Sequence, residues 1–249
     1  MRDVMTDLYN TGVRKYIDDY LLEESKKERD YGDYWSASSA GYCQRKLIFE
    51  RLGVPKTRED DARLQRVFTA GHIFHSWIQE LTKNAGVSVE QETELQDESL
   101  MVRGHFDDLI KTEDGLILYD YKTANSKSFG YKKELSHFHR MQVGTYLYML
   151  RKDKYKDLTE GRILVLEKDT LRTKEFQLLW DKELALDIHN YWTTLNKHWA
   201  DNTIPDCTCA DYEGGFMAKQ QYNDYWYNGE PCSMEWFKVW QENKKDEVL

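Results

Sequence analysis

The 249-residue sequence predicts an α/β fold, in which helices flank a mixed β-sheet and a C-terminal extension carries cysteines. Segments with a strand-like pattern lie in the middle of the chain, and segments with a helix-like pattern lie on both sides of them. Only three prolines occur, and no Gly/Ser-rich linker interrupts the chain. We therefore expect a single domain over residues 1–249, with a core at about 36–200 and a cysteine-bearing tail at 201–249 that packs back on the N-terminal helix.

Apolar residues recur at helical spacing in five segments, and apolar and polar residues alternate in three others. Gly53, which precedes a proline by two positions, ends the second predicted helix, and Ser38 or Ser39 is its candidate N-cap. The predicted helices cover about 3–28, 38–53, 60–85, 129–152 and 181–200. The predicted strands lie at 87–95, in a hairpin at 104–122 and in a second hairpin at 161–180.

The charge balance is acidic, with 44 Asp and Glu against 35 Lys and Arg, a net charge of −9. This balance argues against a protein that coats nucleic acid by bulk positive charge, but it leaves room for a locally positive cleft. We find no apolar run long enough for a membrane span and no pattern of a secretory signal at the N-terminus. Four cysteines in a chain with a sizeable core then indicate a reducing compartment, the cytoplasm.

The hairpin at residues 104–122, GHFDDLIKTEDGLILYDYK, is the segment with the clearest chemistry. Two apolar-rich runs flank the turn signal at 113–115. Because side chains alternate along a strand, Asp120 and Lys122 share one face of the second strand and Tyr121 lies on the other.

Two registers of this hairpin are open. A two-residue turn at Asp114-Gly115 places Asp107 opposite Lys122, whereas a turn one residue earlier brings Asp107 closer to Asp120. Either register directs two carboxylates and one amine into the same cleft. Such a cleft suits a hard divalent cation and an activated water.

Four short motifs occur in a fixed order around this hairpin: GxxxH, GxxD, DxK and QxxxY. Together they resemble the PD-(D/E)xK nuclease superfamily, in particular its RecB-like exonuclease branch and the related adaptation nucleases of CRISPR loci. The resemblance covers about residues 36–150 and implies a restriction-endonuclease-like fold. The motifs are Gly71–His75, Gly104–Asp107, Asp120–Lys122 and Gln142–Tyr146.

The resemblance implies a metal site with an attached catalytic lysine. His75, Asp107, Asp120 and the carbonyl of Tyr121 are the expected ligands of Mg²⁺ or Mn²⁺. Asp107, Asp120 and Lys122 are the expected catalytic residues, with Lys122 orienting the attacking water and stabilising negative charge on phosphorus.

The resemblance also implies contacts to the substrate. Gln142 and Tyr146 lie one helical turn apart and correspond to a pair that positions substrate in the family. We expect Arg140, His139 and Arg45 to contact phosphates because of their proximity to the cleft.

The cysteines form a pattern of one upstream residue, Cys43, and three downstream residues, Cys207, Cys209 and Cys232. This pattern looks like the iron–sulfur members of the family and implies a [4Fe-4S] cluster. The CxC spacing and the 22 residues before Cys232 depart from the usual arrangement. Zinc, or no ligand at all, therefore stays open as an alternative.

These features predict a metal-dependent DNA nuclease, an exonuclease acting on single-stranded or end-exposed DNA. One alternative is a non-catalytic DNA-binding or adaptor protein with a nuclease-like fold stapled by a cysteine-bound metal, because fold alone does not determine function. A second is a metal-stapled interaction module whose hairpin charges are surface residues. The complete D…DxK set argues against loss of catalysis.

Overall fold

The structure, a computed structural model, describes residues 12–26, 32–58, 61–209 and 224–246. The predicted helix at 3–28 is therefore described only in part. Within these ranges no helix has the length and apolarity to cross a membrane. The helices are α1 (Val13–Ser25), α2 (Gln44–Leu52), α3 (Ala62–Asn84), α4 (Ser126–Tyr131), α5 (His137–Lys152), α6 (Lys182–Ala200) and α7 (Met234–Asp246). The strands are β1 (Trp35–Ser36), β2 (Ser88–Asp97), β3 (Val102–Thr112), β4 (Gly115–Ala124), β5 (Glu160–Glu167) and β6 (Thr173–Leu179).

The six strands form one mixed sheet, which confirms the predicted α/β class. Its order is β1-β3-β4-β5-β6, with β2 paired to the other edge of β3. β2–β3, β3–β4 and β5–β6 are antiparallel, whereas β1–β3 and β4–β5 are parallel. The parallel step from β4 to β5 is made through α4 and α5, as a crossover between parallel strands requires.

Each face of the sheet has its own apolar core. On one face, Leu109 and Leu118 pack with Val143 of α5 and Trp192 of α6. On the other face, the side chains at the alternate positions of the strands pack with Ile78 of α3. The sheet is thus the middle of three layers, and the site residues on β3 and β4 lie between α3 and α5.

The cysteine-bearing tail packs against α2. A third apolar cluster joins Phe49 of α2 to Tyr225 and Phe237 of the tail, and the ring planes of Phe49 and Phe237 stack with centroids 4.9 Å apart. A buried ion pair reinforces this contact, with Nζ of Lys46 2.5 Å from Oδ2 of Asp224.

Two helix boundaries differ from those predicted. α2 begins at Gln44, not at Ser38 or Ser39, because a short 3₁₀ turn covers Ala37–Ser39. The predicted helix at 129–152 is two helices separated by residues 132–136. Asn125 caps the first and Ser136 caps the second through main-chain N–H groups, so each has its own start signal.

Candidate active site and cysteine cluster

The site lies where β3 and β4 separate. The ladder runs from Thr112↔Gly115 to Asp108↔Tyr119, so the turn consists of Glu113 and Asp114. Of the two predicted registers this is the second, in which Asp107 and Asp120 are the next residues on the two diverging strands. The separation opens a gap in the sheet beside these two carboxylates.

Beside the gap, β3 and α5 approach each other closely at Gly104. β1 pairs with β3 only at Val102 and Arg103, which leaves residues 104–107 without a strand on that side in the described chain. A Cβ atom at Gly104 would lie 2.8 Å from Cβ of Ala37 and 3.1 Å from the hydroxyl oxygen of Tyr146. Glycine is therefore needed at the first position of the GxxD motif so that α5 can approach.

Asp107 links the two strands after their ladder has ended. The main-chain N–H of Tyr121 donates to Oδ2 of Asp107 at 2.5 Å. This bond satisfies an N–H group that has lost its place in the ladder. Because the N–H and C=O of one strand residue point to the same side, the Tyr121 carbonyl also faces the gap.

His75 reaches the same carboxylate from α3. Its Nδ1 lies 3.6 Å from Oδ2 of Asp107. Burial, and then the charge of Lys122, lowers the pKa of His75 to about 4. The imidazole is therefore neutral near pH 7 and presents a nitrogen lone pair.

Asp120 and Lys122 form an ion pair on one face of β4, with Lys122 Nζ 2.7 Å from Oδ2 of Asp120. Burial alone would lower the pKa of Lys122, but Asp120 and then Asp107 outweigh it and raise that pKa above its usual value. Within the described part of the chain, the buried Oδ2 of Asp120 has this ion pair and no other polar partner. A carboxylate oxygen has more than one lone pair, so Oδ2 can also bind a cation.

The two carboxyl groups are close enough to influence each other. Burial, and then the charge of Asp120, raises the pKa of Asp107 to about 8. In the metal-free protein Asp107 therefore holds its proton near neutral pH, and a bound cation would favour its ionised form.

The residues at the gap fit a hard divalent cation by their donor chemistry. They offer two carboxylates, a neutral imidazole and a main-chain carbonyl, and one buried carboxylate oxygen lacks a hydrogen bond. They are less tightly grouped than the four cysteines described below, and the ammonium of Lys122 lies against Asp120. A cation at this site would therefore compete with the ammonium of Lys122.

A buried hydrogen-bond network surrounds Asp108, a residue that belongs to none of the four sequence motifs. Asp108 points to the opposite face from Asp107 and accepts four hydrogen bonds. Its Oδ2 accepts from the hydroxyls of Thr82 (2.6 Å) and Tyr121 (2.9 Å). Gln91 donates to the same oxygen at 2.9 Å, and Ser88 donates to Oδ1 at 2.6 Å. This network joins α3, β2, β3 and β4 and thereby fixes the height of His75 above the sheet.

Gln79 and Glu92 also support the site. Gln79 lies one helical turn after His75, and its Nε2 donates to Oε1 of Glu92 at 2.6 Å and to the carbonyl of Asp107 at 3.0 Å. Glu92 has a left-handed backbone, with φ of 47°. The strand pattern alone does not distinguish Glu92 from Glu90 and Glu94, whereas the spacing of Gln79 from His75 is visible in the sequence.

The expected substrate contacts are placed differently from one another. Tyr146 is buried, and its hydroxyl lies beside Gly104 at the gap, with Gln142 as a hydrogen-bonding neighbour. Arg140 instead pairs with Asp187 of α6 at 2.8 Å. Arg45 donates to the carbonyl of Pro205 at 2.7 Å, next to the cysteines.

The four cysteines come together at the junction of α2 and the tail. The sulfur atoms of Cys43, Cys207, Cys209 and Cys232 all lie within 4.8 Å of one another, and those of Cys209 and Cys232 are 3.5 Å apart. The neighbouring thiols, that of Cys207 first, lower the pKa of the Cys43 thiol. The arrangement offers four soft sulfur ligands.

Comparison with known families identifies the class of this protein. The family model of the PD-(D/E)XK nuclease superfamily matches residues 86–232, which is more than half of the chain. The chain belongs to this superfamily of nucleases. Membership implies DNA as the substrate, and PD-(D/E)XK nucleases typically use divalent metals.

Several solved structures are similar at low sequence identity. The protein SSO0001 is 17% identical over 79% of this chain and 94% of its own, with a TM-score of 0.49. An alkaline exonuclease from Laribacter hongkongensis is 13% identical over 76% and 93%, with a TM-score of 0.47. A phage-related exonuclease from Haemophilus somnus is 10% identical over 76% and 81%, with a TM-score of 0.36. A search of curated proteins found no match.

The Asp108 network predicts a large effect on stability. Asp108→Ala should lower the free energy of unfolding by about 2–4 kcal/mol, because it leaves several buried donors without an acceptor. Urea denaturation monitored by circular dichroism measures this change. Asp114→Ala, in the exposed hairpin turn, is the matched control and should change stability by less than about 0.5 kcal/mol. Equal effects of the two substitutions would contradict the proposed role of the network.

The raised pKa of Asp107 predicts a pH dependence of the metal-free protein. Between the usual carboxyl pKa and about 8, the folded state holds a proton that the unfolded state has lost, so stability falls as pH rises. In chelator, the free energy of unfolding should fall from pH 6.5 to 8 by up to about 1 kcal/mol per pH unit. Asp107→Asn should remove this part of the slope, and Asp114→Asn should retain it. A slope that survives in Asp107→Asn would show that another group is responsible.

Proposed function

We propose that this protein is a metal-dependent deoxyribonuclease that hydrolyses phosphodiester bonds at the gap between β3 and β4. The main support for this proposal is that Asp107, Asp120 and Lys122 border one cleft, in a chain that belongs to a nuclease superfamily. His75 joins them from α3, so that every member of the DxK-centred set borders the same gap.

His75, Asp107, Asp120 and the carbonyl of Tyr121 would hold one or two divalent ions. A bound Mg²⁺ or Mn²⁺ would lower the pKa of a water and polarise the scissile phosphate. The oxygen donors favour a hard ion, and the imidazole makes Mn²⁺ a good ligand match.

Lys122 supplies a positively charged hydrogen-bond donor to the reaction. Its ammonium remains protonated at neutral pH because the two carboxylates raise its pKa. From this position it can orient the attacking water and stabilise the negative charge that develops on the phosphoryl oxygens. Gln142 and Tyr146 position the substrate strand at the same gap.

We further propose that the enzyme is an exonuclease that acts on single-stranded or end-exposed DNA, in the cytoplasm. Support comes from the resemblance of the four ordered motifs to the RecB-like exonuclease branch. The acidic net charge of −9 argues against wrapping of long duplex DNA by bulk positive charge.

Catalysis should depend on the hairpin residues and on metal. Asp107→Asn and Lys122→Met should each lower cleavage by at least about a hundredfold, because each removes a group that acts on the transition state. Asp114→Asn and Lys111→Met, exposed positions of the same hairpin, should retain wild-type activity. The assay uses end-labelled single- and double-stranded DNA with Mg²⁺, Mn²⁺ or chelator.

The same assay separates the alternatives. A closed circular substrate that resists cleavage while its linear form is degraded supports the exonuclease, and cutting of the circle shows endonuclease activity. DNA binding without cleavage under every metal condition would contradict the enzyme and favour the adaptor alternative. Near-wild-type cleavage by Asp107→Asn or Lys122→Met would contradict the residue assignment.

We also propose that the four cysteines bind metal and thereby tie the tail to α2. Two kinds of metal centre suit four thiolates. A tetrahedral zinc ion with Zn–S bonds of about 2.3 Å places its sulfurs about 3.8 Å apart, close to the spread seen here. A [4Fe-4S] cluster, in which each sulfur binds a different iron, needs the sulfurs farther apart but agrees with the iron–sulfur resemblance.

Metal analysis of the anaerobically purified protein tests this site. We expect either about one zinc per chain with no colour, or about four irons per chain with broad absorption near 400 nm. Cys232→Ser should lose most of this metal and should lower the midpoint of thermal unfolding, because metal binding contributes to folding. The matched control is Glu230→Gln, at an exposed position two residues earlier in the chain. Full metal content in Cys232→Ser, or none in the wild type, would contradict the proposal.

A further inference from the structure

A lysine that follows α4 and a histidine in the first turn of α5 form a close pair. Lys132 follows the last residue of α4, and His139 lies in the first turn of α5. Nζ of Lys132 is 3.5 Å from Nδ1 of His139. Neither residue belongs to the four motifs of the family, and Lys132 was not singled out by the sequence.

The connection that carries these residues is well anchored. Nζ of Lys174 on β6 donates to the carbonyls of Phe129 (2.7 Å) and Lys132 (3.2 Å). The same ammonium lies 4.5 Å from the ring centroid of Phe129. At the start of α5, the hydroxyl of Ser136 accepts from the main-chain N–H of His139 at 3.4 Å. Lys132 and His139 are therefore presented by a backbone that is held at both ends.

Lys132 and His139 lie in an electrostatic environment that suits an anionic ligand. Burial, and then the charge of Lys122, lowers the pKa of Lys132 to about 8. Burial, and then the charges of Lys132 and Lys122, lowers the pKa of His139 well below its usual value. Lys122, Val165 and Lys174 lie opposite one another on β4, β5 and β6. Because Lys174 reaches the carbonyl of Lys132, Lys132 lies over the face of the sheet that carries Lys122. Lys122 has Asp120 as its counter-ion, whereas among the described residues no carboxylate forms an ion pair with Lys132.

We propose that Lys132 and His139 bind a phosphate of the DNA backbone next to the phosphate that is cut. The inference rests on the proposed nuclease function, because the partner is identified by the cleft that the pair borders. With Nδ1 of His139 facing the ammonium as acceptor, its proton lies on Nε2, and each residue then has an N–H free to donate to a phosphate oxygen. A phosphodiester supplies the negative charge that the half-buried ammonium lacks.

The adjacent residue Lys133 provides a matched control for Lys132. Lys133 is its chain neighbour and is exposed, so Lys132→Met and Lys133→Met remove the same charge from adjacent positions. Both variants should weaken general, salt-dependent attraction to DNA to a similar degree. Only Lys132→Met should remove a fixed contact to one phosphate.

Steady-state kinetics on a single-stranded oligonucleotide give the first test. Lys132→Met should raise KM by about tenfold, the size expected for one charge-assisted hydrogen bond, and should change kcat by less than about threefold. His139→Leu should act in the same direction, and Lys132→Arg should restore most of the loss. Equal KM values for Lys132→Met and Lys133→Met would overturn the proposal.

A scan with neutral phosphates gives the second test and locates the subsite. Each oligonucleotide carries one methylphosphonate at a different position, and its affinity is measured by fluorescence anisotropy in chelator, with circular dichroism as a check on folding. Wild-type protein and Lys133→Met should lose about tenfold in affinity at one position near the cleavage site. Lys132→Met should show no added loss at that position. The same positional loss in Lys132→Met would overturn the subsite.

The two tests also keep the subsite separate from the nuclease proposal. If the wild type binds DNA without cutting it, the nuclease proposal fails, and the methylphosphonate scan still decides whether Lys132 binds a phosphate. If the wild type cuts DNA but the scan is flat for all variants, the subsite is wrong and the nuclease proposal stands.

Discussion

The hydrogen bond from the main-chain N–H of Tyr121 to the carboxylate of Asp107 is the contact on which the site depends. Two strands that part in the middle of a sheet expose main-chain groups that must find new partners. Asp107 provides that partner and is at the same time held between the strands. One N–H group at the edge of the gap is thereby satisfied, and Asp120, Lys122 and His75 are arranged around a side chain that is held in place.

Much of this arrangement follows from periodicity. The alternation of side chains along β4 predicts that Asp120 and Lys122 share a face, and the structure has their charged atoms 2.7 Å apart. The spacing of four residues predicts that Gln142 and Tyr146 share a face of one helix. Strand segments between helical segments predict the α/β class. Local patterns are informative here because each reports a geometry that the backbone imposes over a few residues.

Other features depend on contacts between distant parts of the chain, which a local pattern does not contain. Asp108 and Asp107 are identical in type and adjacent, and only the packing of α3 and β2 separates a buried network from a site carboxylate. The sequence predicts that Arg45, two residues after Cys43, contacts a phosphate. In the structure its guanidinium donates a hydrogen bond to the carbonyl of Pro205. The hairpin register was open because turn signals at 113–115 allow two alignments, and the pairing of the whole ladder decides between them.

The cysteine cluster joins residues far apart in the order of synthesis. Cys43 lies 164 residues before Cys207, and Cys232 comes later still. A nascent chain on the ribosome therefore cannot assemble the four sulfurs until the hairpin, α5 and α6 have left the exit tunnel. Closing so long a loop costs conformational entropy, and a sheet that has already folded reduces the distance to be closed. Assembly of the four sulfurs is consequently a late event in the folding of the chain.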